Sequence, residues 1–459
     1  MHHRIRSRFG VRMSSFLEWL VLNRRVEVVL ARFFPFVSKL SNLVLGSPDH
    51  PAQPLHIVIG ITHPQTCLTI TGRPRALREA GFRVTLVSSP GELLARTAAR
   101  EGVEPIALPM QRAIAPFADI VSLARLWWLL RRLKPDLTEF STPKAGLLGT
   151  LAALLAGVPH RVYMLRGLKL ETCTGIKRRI LRVTEQMASA CADVVLCNSE
   201  SLRAKAKVMG LAPAGKLRLL GDGSSNGVDL EHFSPGSSNV RKRLGFPRKA
   251  PVVGFVGRMT RDKGLPELID AFDAILKAEP EAHLLLVGWF DAAEDALSAT
   301  LRAHIESHPQ IHCTGYVDDT APYYRAMDLL VLPTWREGFP NVVLEAAASG
   351  IPVITTLCTG ARDSVVPEVT GLLIPPGYPE AIVEAVLCLI RNPAHSRRMG
   401  VAARAWVLEH YVNRRVRGLT TAFYKNLMTQ ARVGKTSQPH PGVGRKPSLA
   451  TDQIGGVPV

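Results

Sequence analysis

From position 55 onward the chain repeats a two-beat pattern. A short, nearly continuous apolar run bounded by turn residues alternates with a longer stretch whose apolar positions fall three and four apart. Runs without polar alternation face apolar neighbours on both sides, as strands do inside a covered parallel sheet. The pattern predicts strands over 55–61, 82–87, 103–108, 137–140, 161–165 and 193–197. Helices are predicted over 72–79, 117–133, 145–155 and 176–190, with another opened by Asn198-Ser199. Residues 222–250 break the beat with Gly, Ser, Asn and Pro, which places a connection between domains there. A second series follows, with strands over 252–256, 283–287, 311–314, 328–332 and 353–355. Its helices are predicted over 265–276, 292–305, 341–348, 380–390 and 396–410.

The expected architecture is α/β: two Rossmann-like doubly wound parallel-sheet domains, 55–225 and 226–410, facing a cleft. A helix over 411–430 is placed to cross back to the first domain. Residues 1–54 form a basic amphipathic extension. Its alternation of Phe16, Trp19, Leu20, Phe33 and Phe34 with arginines suits an interfacial helix, and equally a helix packed on the body. Residues 431–459, rich in Pro and Gly with few apolar anchors, read as a disordered tail.

Composition narrows the class. At 459 residues and 46% hydrophobic content, there is ample material for two cores. No run approaches the ~18 uncharged residues of a membrane span, and no cleavable leader follows the basic start. The expectation is therefore a cytoplasmic protein. The seven cysteines form no C-x-x-C pair, which points to reduced thiols and to neither zinc nor disulfides. A net charge of +19 calls for an anionic partner, whether nucleic acid, membrane surface or phosphorylated substrate.

The candidate chemistry lies in the second series. Gly257 and Arg258 follow the strand over 252–256, with Lys263-Gly264 a few residues on. Glu337-Gly338-Phe339-Pro340-Asn341 follows the strand over 328–332 and opens a helix that carries Glu345. In open parallel sheets, ligands bind beyond the carboxyl ends of strands. Arg258 and Lys263 offer cations to a diphosphate, and Glu337 and Glu345 offer acceptors to sugar and ribose hydroxyls. Pro340 suits a first helical turn, with Asn341 as a cap. Taken alone, each motif could equally be solvated surface charge; together they describe a nucleotide-sugar site.

With those residues in order, the chain resembles the family 4 glycosyltransferases of the GT-B fold, retaining enzymes that use nucleotide-activated sugars. Gly257-Arg258, Lys263-Gly264, Glu337 through Glu345, Asn226-Gly227-Val228-Asp229 and Asn198-Ser199-Glu200-Ser201 carry the resemblance, across about residues 55 to 430. It implies that Arg258 and Lys263 bind the donor diphosphate, that Glu337 contacts the donor sugar, and that Glu345 holds the ribose. Gly338, Phe339, Pro340, Asn341 and Val342 would bring backbone N–H groups to phosphate and sugar. No metal is required in this fold, and no Asp-x-Asp motif stands ready to hold one. UDP is the expected nucleotide, and a hexosyl or N-acetylhexosaminyl group the expected cargo.

The sequence also departs from the pattern. Where many relatives carry His-Gly, this chain has Arg166-Gly167. Arginine is a permanent cation that exchanges no proton, so Arg166 reads as a further phosphate clamp or as a surface ion pair. His63 and Gly72 follow the first strand, and Lys144 opens a helix, in positions open to acceptor or phosphate. Six cations against one acid between Arg166 and Arg182 suggest a docking surface for anionic acceptor or lipid headgroups. Thr142-Pro143-Lys144-Ala145-Gly146 resembles members that extend polyprenyl-diphosphate-linked glycans in bacterial surface polysaccharide assembly. The resulting expectation is an enzyme peripheral to the inner face of the membrane, taking a nucleotide sugar and a glycan or lipid-linked acceptor, with no nucleic acid. The alternatives are a basic nucleic-acid-binding or scaffold protein on the same fold without transfer activity, and a nucleotide-sugar 2-epimerase.

Overall fold

The computed structural model describes residues 54–111, 115–291 and 295–436. The expected extension over 1–54 and the end of the expected tail lie outside these, apart from Pro54. The chain builds two wholly parallel sheets. The first holds β1 (His56–Gly60), β2 (Arg83–Ser88), β3 (Glu104–Ala107), β4 (Leu137–Ser141), β5 (His160–Leu165), β6 (Val194–Cys197) and β7 (Leu217–Leu219), in the order β3-β2-β1-β4-β5-β6-β7. The second holds β8 (Val252–Val256), β9 (His283–Val287), β10 (Ile311–Cys313), β11 (Leu329–Leu332), β12 (Val353–Thr356) and β13 (Gly371–Ile374), in the order β10-β9-β8-β11-β12-β13. Both are doubly wound, and in both the strand order reverses between two central neighbours, β1 with β4 and β8 with β11. A crevice opens at such a reversal.

The alternation of side chains explains why these strands read as unbroken apolar runs. In β1, Ile57 and Ile59 enter one core with Leu77, Leu86 and Met164, while Val58 enters the opposite core with Leu126, Leu130 and Leu148. Covered on both faces, each fully buried aliphatic side chain contributes roughly 1.5–3 kcal/mol relative to exposure.

Three features differ from the sequence pattern. The helix Glu92–Glu101 was not anticipated, because its buried face is Leu94, Thr97, Ala98 and Glu101, half of it in polar letters. The short strands β7 and β13 were also missed. The helix expected over 292–305 begins only at Ala299, where the Ser298 hydroxyl accepts from the Leu301 N–H at 3.2 Å and fixes the start.

The chain passes between domains twice, and the two passages pair. The Val228 N–H donates to the Tyr411 carbonyl at 2.8 Å, and the Asn413 N–H to the Val228 carbonyl at 2.9 Å. Gly227, at φ +64°, sits where a Cβ would stand 2.4 Å from the Tyr411 oxygen, so only glycine fits. The final helix, Asn413–Thr436, then returns to the first domain and places Tyr424 and Met428 in the core beside Ile57 and Ile59. It runs six residues into the segment whose composition reads as tail.

Candidate active site

Beyond β8, Gly257 adopts φ +148° and hands the chain to Arg258, whose Nη1 donates to Asp291 Oδ2 at 2.9 Å. A tight turn, Arg261–Lys263, follows and ends at Gly264, where φ is +75° and the Pro333 carbonyl passes too close for a side chain. Lys263 Nζ then makes an ion pair with Glu337 Oε1. The cation expected for a diphosphate and the carboxylate expected for a sugar therefore neutralise each other, both largely buried.

A second ion pair supports the first. Arg336 donates to Asp262 Oδ2 at 2.6 Å and lies 3.7 Å from Asp295, while its Nε reaches Thr172 of the first domain at 3.1 Å. Burial pushes the Asp262 carboxyl up, but Arg336, the Thr260 hydroxyl, Lys263 and Arg258 outweigh it and hold the group below its ordinary value. Asp262 also accepts from Thr260 at 2.6 Å, and its backbone oxygen takes the Trp335 N–H at 3.0 Å. The turn carrying Lys263 is thus bolted to the loop carrying Glu337.

The helix Asn341–Ala348 continues from that loop. Pro340 occupies the capping position in extended geometry, and Asn341 is the first helical residue with no capping side-chain bond. This corrects the expected arrangement: proline's fixed φ already sets the entry, so the Asn341 side chain is not needed for it. Glu345, one turn inside, accepts from the Tyr324 hydroxyl at 2.8 Å. Burial raises its carboxyl, partly countered by that hydroxyl and by His232. The Phe339 ring packs in a core with Leu344, Val228 and Tyr411, 5.2 Å from the Tyr411 ring, and Val342 lies against the second core. Their side chains are structural, which leaves only their backbone for a ligand.

Across the cleft, the loop after β5 meets the loop after β11. A Cβ at Gly338 would stand 2.0 Å from the Arg166 carbonyl oxygen, and one at Gly167, where φ is +131°, 3.2 Å from the Gly338 nitrogen. Further contacts seal this seam. Ser201 donates its hydroxyl to Asp363 and accepts from the Gly360 N–H at 2.8 Å, and Thr359 donates to Glu171 at 2.7 Å.

The remaining first-domain candidates are each engaged within the protein. The Arg166 side chain turns inward, away from the exposed cations of the helix Gly175–Cys191, so it does not belong to the expected basic surface. Burial comes first in lowering its pKa, to about 9, with the neighbouring Arg73 next. Lys144 is occupied by Asp119 at 2.6 Å. His63 accepts the Gln65 N–H at 3.3 Å and starts the turn Pro64–Ile70. Gly72, at φ +78°, has the Arg417 guanidinium lying against its backbone. Sequence reasoning missed Asp291, Arg336, Tyr324, Arg73 and Glu139. Arg336 adjoins Glu337 in the motif and was within reach; the others are partners only through the fold.

Comparisons with known proteins bear on the family and the fold. Residues 74–223 match the glycosyl transferase 4-like domain, and residues 250–392 match glycosyl transferases group 1. The chain is 36% identical over 332 residues to the capsular polysaccharide biosynthesis glycosyltransferase CapM of Staphylococcus aureus, covering 72% of this chain and 86% of that one. The chain belongs to the family 4 glycosyltransferases. It is also 29% identical over 273 residues to the Escherichia coli UDP-Gal:alpha-D-GlcNAc-diphosphoundecaprenol alpha-1,3-galactosyltransferase, covering 57% of this chain and 68% of that one. Among solved structures, Anabaena Alr3699/HepE in complex with UDP superimposes with a TM-score of 0.62 at 20% identity, over 83% of this chain and all of that one. The sucrose-phosphate synthase of Thermosynechococcus elongatus gives 0.68 at 22% identity, over 82% of this chain and 100% of that one. Both likenesses identify the fold, which is GT-B. This family 4 glycosyltransferase is an enzyme, and no reading as a nucleic-acid-binding or inactive scaffold protein is supported.

Proposed function

We propose that this glycosyltransferase takes its sugar from a UDP-linked donor and passes it, with retention, to a lipid-linked diphosphate acceptor. The observation that carries the donor half is that Arg258, held by Asp291, and Lys263, paired with Glu337 from beyond β11, both follow β8. As the glycosidic bond to UDP breaks, negative charge grows on the leaving diphosphate, and two preplaced cations stabilise it without reorganising water. The ion pair between Lys263 and Glu337 holds both side chains in place before substrate arrives. Glu337 then turns to the sugar hydroxyls, and Glu345 accepts from the ribose.

The acceptor half draws on the two relatives named for capsular polysaccharide and diphosphoundecaprenol chemistry. It also draws on one surface. The helices Pro116–Leu133, Pro143–Ala156 and Gly175–Cys191 pack side by side on the first domain. They present Phe117 at 87% exposure, Ile120 at 64%, Trp128 at 57% and Ile176 at 77%. Arg125, Arg131, Arg132, Arg178 and Arg179 stand exposed among them, with the Arg132 guanidinium 5.5 Å above the Trp128 ring. An apolar groove of about 700 Å3, lined by Ile106, Leu108, Ile120 and Trp128, runs alongside. Aromatic and aliphatic side chains ringed by arginine suit the headgroup layer of an anionic membrane, in peripheral contact on the cytoplasmic side. No described helix is long and apolar enough to cross a membrane.

The test is a screen of UDP-sugars, with GDP-sugars as controls, for thermal stabilisation and for donor hydrolysis. Saturable binding of a UDP-sugar supports the donor assignment; stabilisation by GDP-sugars alone overturns the choice of base.

A further inference from the structure

Two arginines approach each other beneath the seam between the domains, and among the described residues only Arg73 has a carboxylate partner. Arg73 opens the helix Arg73–Glu79 and is 1% exposed. Its Nη2 donates to Glu139 of β4, which is fully buried, while its Nε and Nη1 have no partner among the described residues. Tyr424 of the returning helix donates to the other Glu139 oxygen at 2.5 Å. Arg166 comes next. Its Nη1 reaches the Thr69 carbonyl at 3.3 Å, the Thr69 hydroxyl at 3.4 Å and Ser225 at 3.2 Å, whereas its Nε and Nη2 are buried and unpartnered. The Asn226 side-chain oxygen, next along from Ser225, is buried and unpartnered as well.

The charges do not balance. Glu139 is taken up by Arg73 and the Tyr424 hydroxyl, and among the described residues Arg166 has no carboxylate partner of its own. Leaving a buried cation with unused donors is costly, and a planar guanidinium meets that cost best by gripping two oxygens of one anion. Arg166 offers its unused donors as a planar fork.

We propose that Arg166 and Arg73 form an oxyanion subsite beside the sugar pocket, built to take a carboxylate or phosphate group of a substrate. Its place follows from the chain itself. The Arg166 backbone abuts Gly338 while its guanidinium reaches Thr69 and Ser225 in the first domain, so an anion held there would belong to a ligand entering between that loop and the first domain. Two sources fit: a carboxylate on the transferred sugar, as in a hexuronic acid, or the diphosphate of a lipid-linked acceptor. The subsite rests on the glycosyltransferase reading and adds the charge of the substrate to it.

The experiment compares binding by the full chain and by R166Q in calorimetry with three probes. The first pairs UDP-glucuronate and UDP-galacturonate with UDP-glucose and UDP-galactose. The second is a short-chain polyprenyl-diphosphate N-acetylglucosamine in detergent, and the third is UDP alone. The expected result is that R166Q weakens either the hexuronate donors or the diphosphate acceptor at least about ten-fold more than it weakens UDP. Loss on the hexuronate arm assigns the anion to the donor; loss on the acceptor arm assigns it to the acceptor. R73K, which keeps the buried charge and shortens the fork, should weaken the same arm. If R166Q and R73K fold and no arm changes beyond the change in UDP, the subsite is overturned. Failure of the wild type to bind UDP would overturn the donor reading and this subsite with it.

Discussion

Gly338 of the second domain meets the Arg166 carbonyl of the first so closely that a methyl group at position 338 would stand 2.0 Å from that oxygen. The obstacle is backbone, so it cannot rotate away. G338A should therefore hold the two loops apart while leaving each core intact. A displacement of about 1 Å from reactive geometry costs on the order of 100-fold in rate. Turnover should fall by about that much, with UDP affinity, which we assign to Arg258, Lys263 and Glu345, falling much less. Equal losses in both would place the defect in folding of the loop rather than in closure.

Lys263→Ala should remove most transfer activity. One charge-assisted contact to a developing diphosphate is worth about 2–4 kcal/mol, or 30- to 1,000-fold in turnover. It also strands Glu337, which among the described residues pairs with Lys263 alone. A folded K263A enzyme with near-wild-type turnover would sink the assignment.

The two glutamates should separate by measurement. Glu337→Gln is expected to lower turnover more than UDP affinity, and Glu345→Gln to weaken UDP itself. Burial raises the Glu345 carboxyl, so its ionised form is lost earlier on acidification than an ordinary carboxylate. The wild-type advantage over E345Q in UDP affinity should thus shrink as pH falls. An advantage independent of pH contradicts the ribose role.

Glu185 offers a test unconnected with substrate. Burial lifts its carboxyl to about 7, against the Tyr163 hydroxyl, which donates to it at 2.6 Å. A carboxyl raised in the folded state binds more protons folded than unfolded, so stability falls as pH climbs from the ordinary carboxylate range through 7. E185Q keeps an acceptor for Tyr163 and removes the titration. It should stabilise by about 2–3 kcal/mol at pH 8 and hardly at all near pH 4, in urea unfolding. A gain that does not vary with pH would place the effect elsewhere.

Replacing Phe117, Trp128 and Ile176 with serine should weaken sedimentation with anionic vesicles without changing UDP binding. Each basic residue near such a surface adds about 1 kcal/mol, so binding of the parent protein should also fade with salt. Indifference of the wild type to vesicles at low salt would leave a soluble acceptor and remove the membrane reading.

Much of this molecule can be read from its sequence because parallel strands advertise themselves. A strand such as β8, covered on both faces, is apolar throughout, and its ends match the sequence pattern residue for residue. The motifs around Lys263 and Glu337 were legible for a related reason: turn, strand end and helix start are contiguous, so their chemistry is spelled locally. What stayed hidden is what the fold brings from afar. Asp291 meets Arg258, Tyr324 meets Glu345, and Tyr424 meets Glu139, 285 positions away. Glu139 looks out of place in β4 until the arginine and tyrosine that bury it are known. Lys144 reads as a free cation until Asp119 appears on the neighbouring helix.

The returning helix has a consequence for how the protein is made. Tyr424 and Met428 belong to the core of the domain that begins near residue 55, yet they leave the ribosome after the entire second domain. Domains ordinarily complete themselves in order of synthesis. Here the first must wait, with Glu139 short of a hydroxyl partner and the Ile57 side of its sheet partly uncovered, until the chain is almost finished. The second domain, whose core draws on residues 240 to 399, closes before the first does. A nascent chain released short of Tyr424 would carry a finished second domain beside a first domain still open to water, chaperones and proteases.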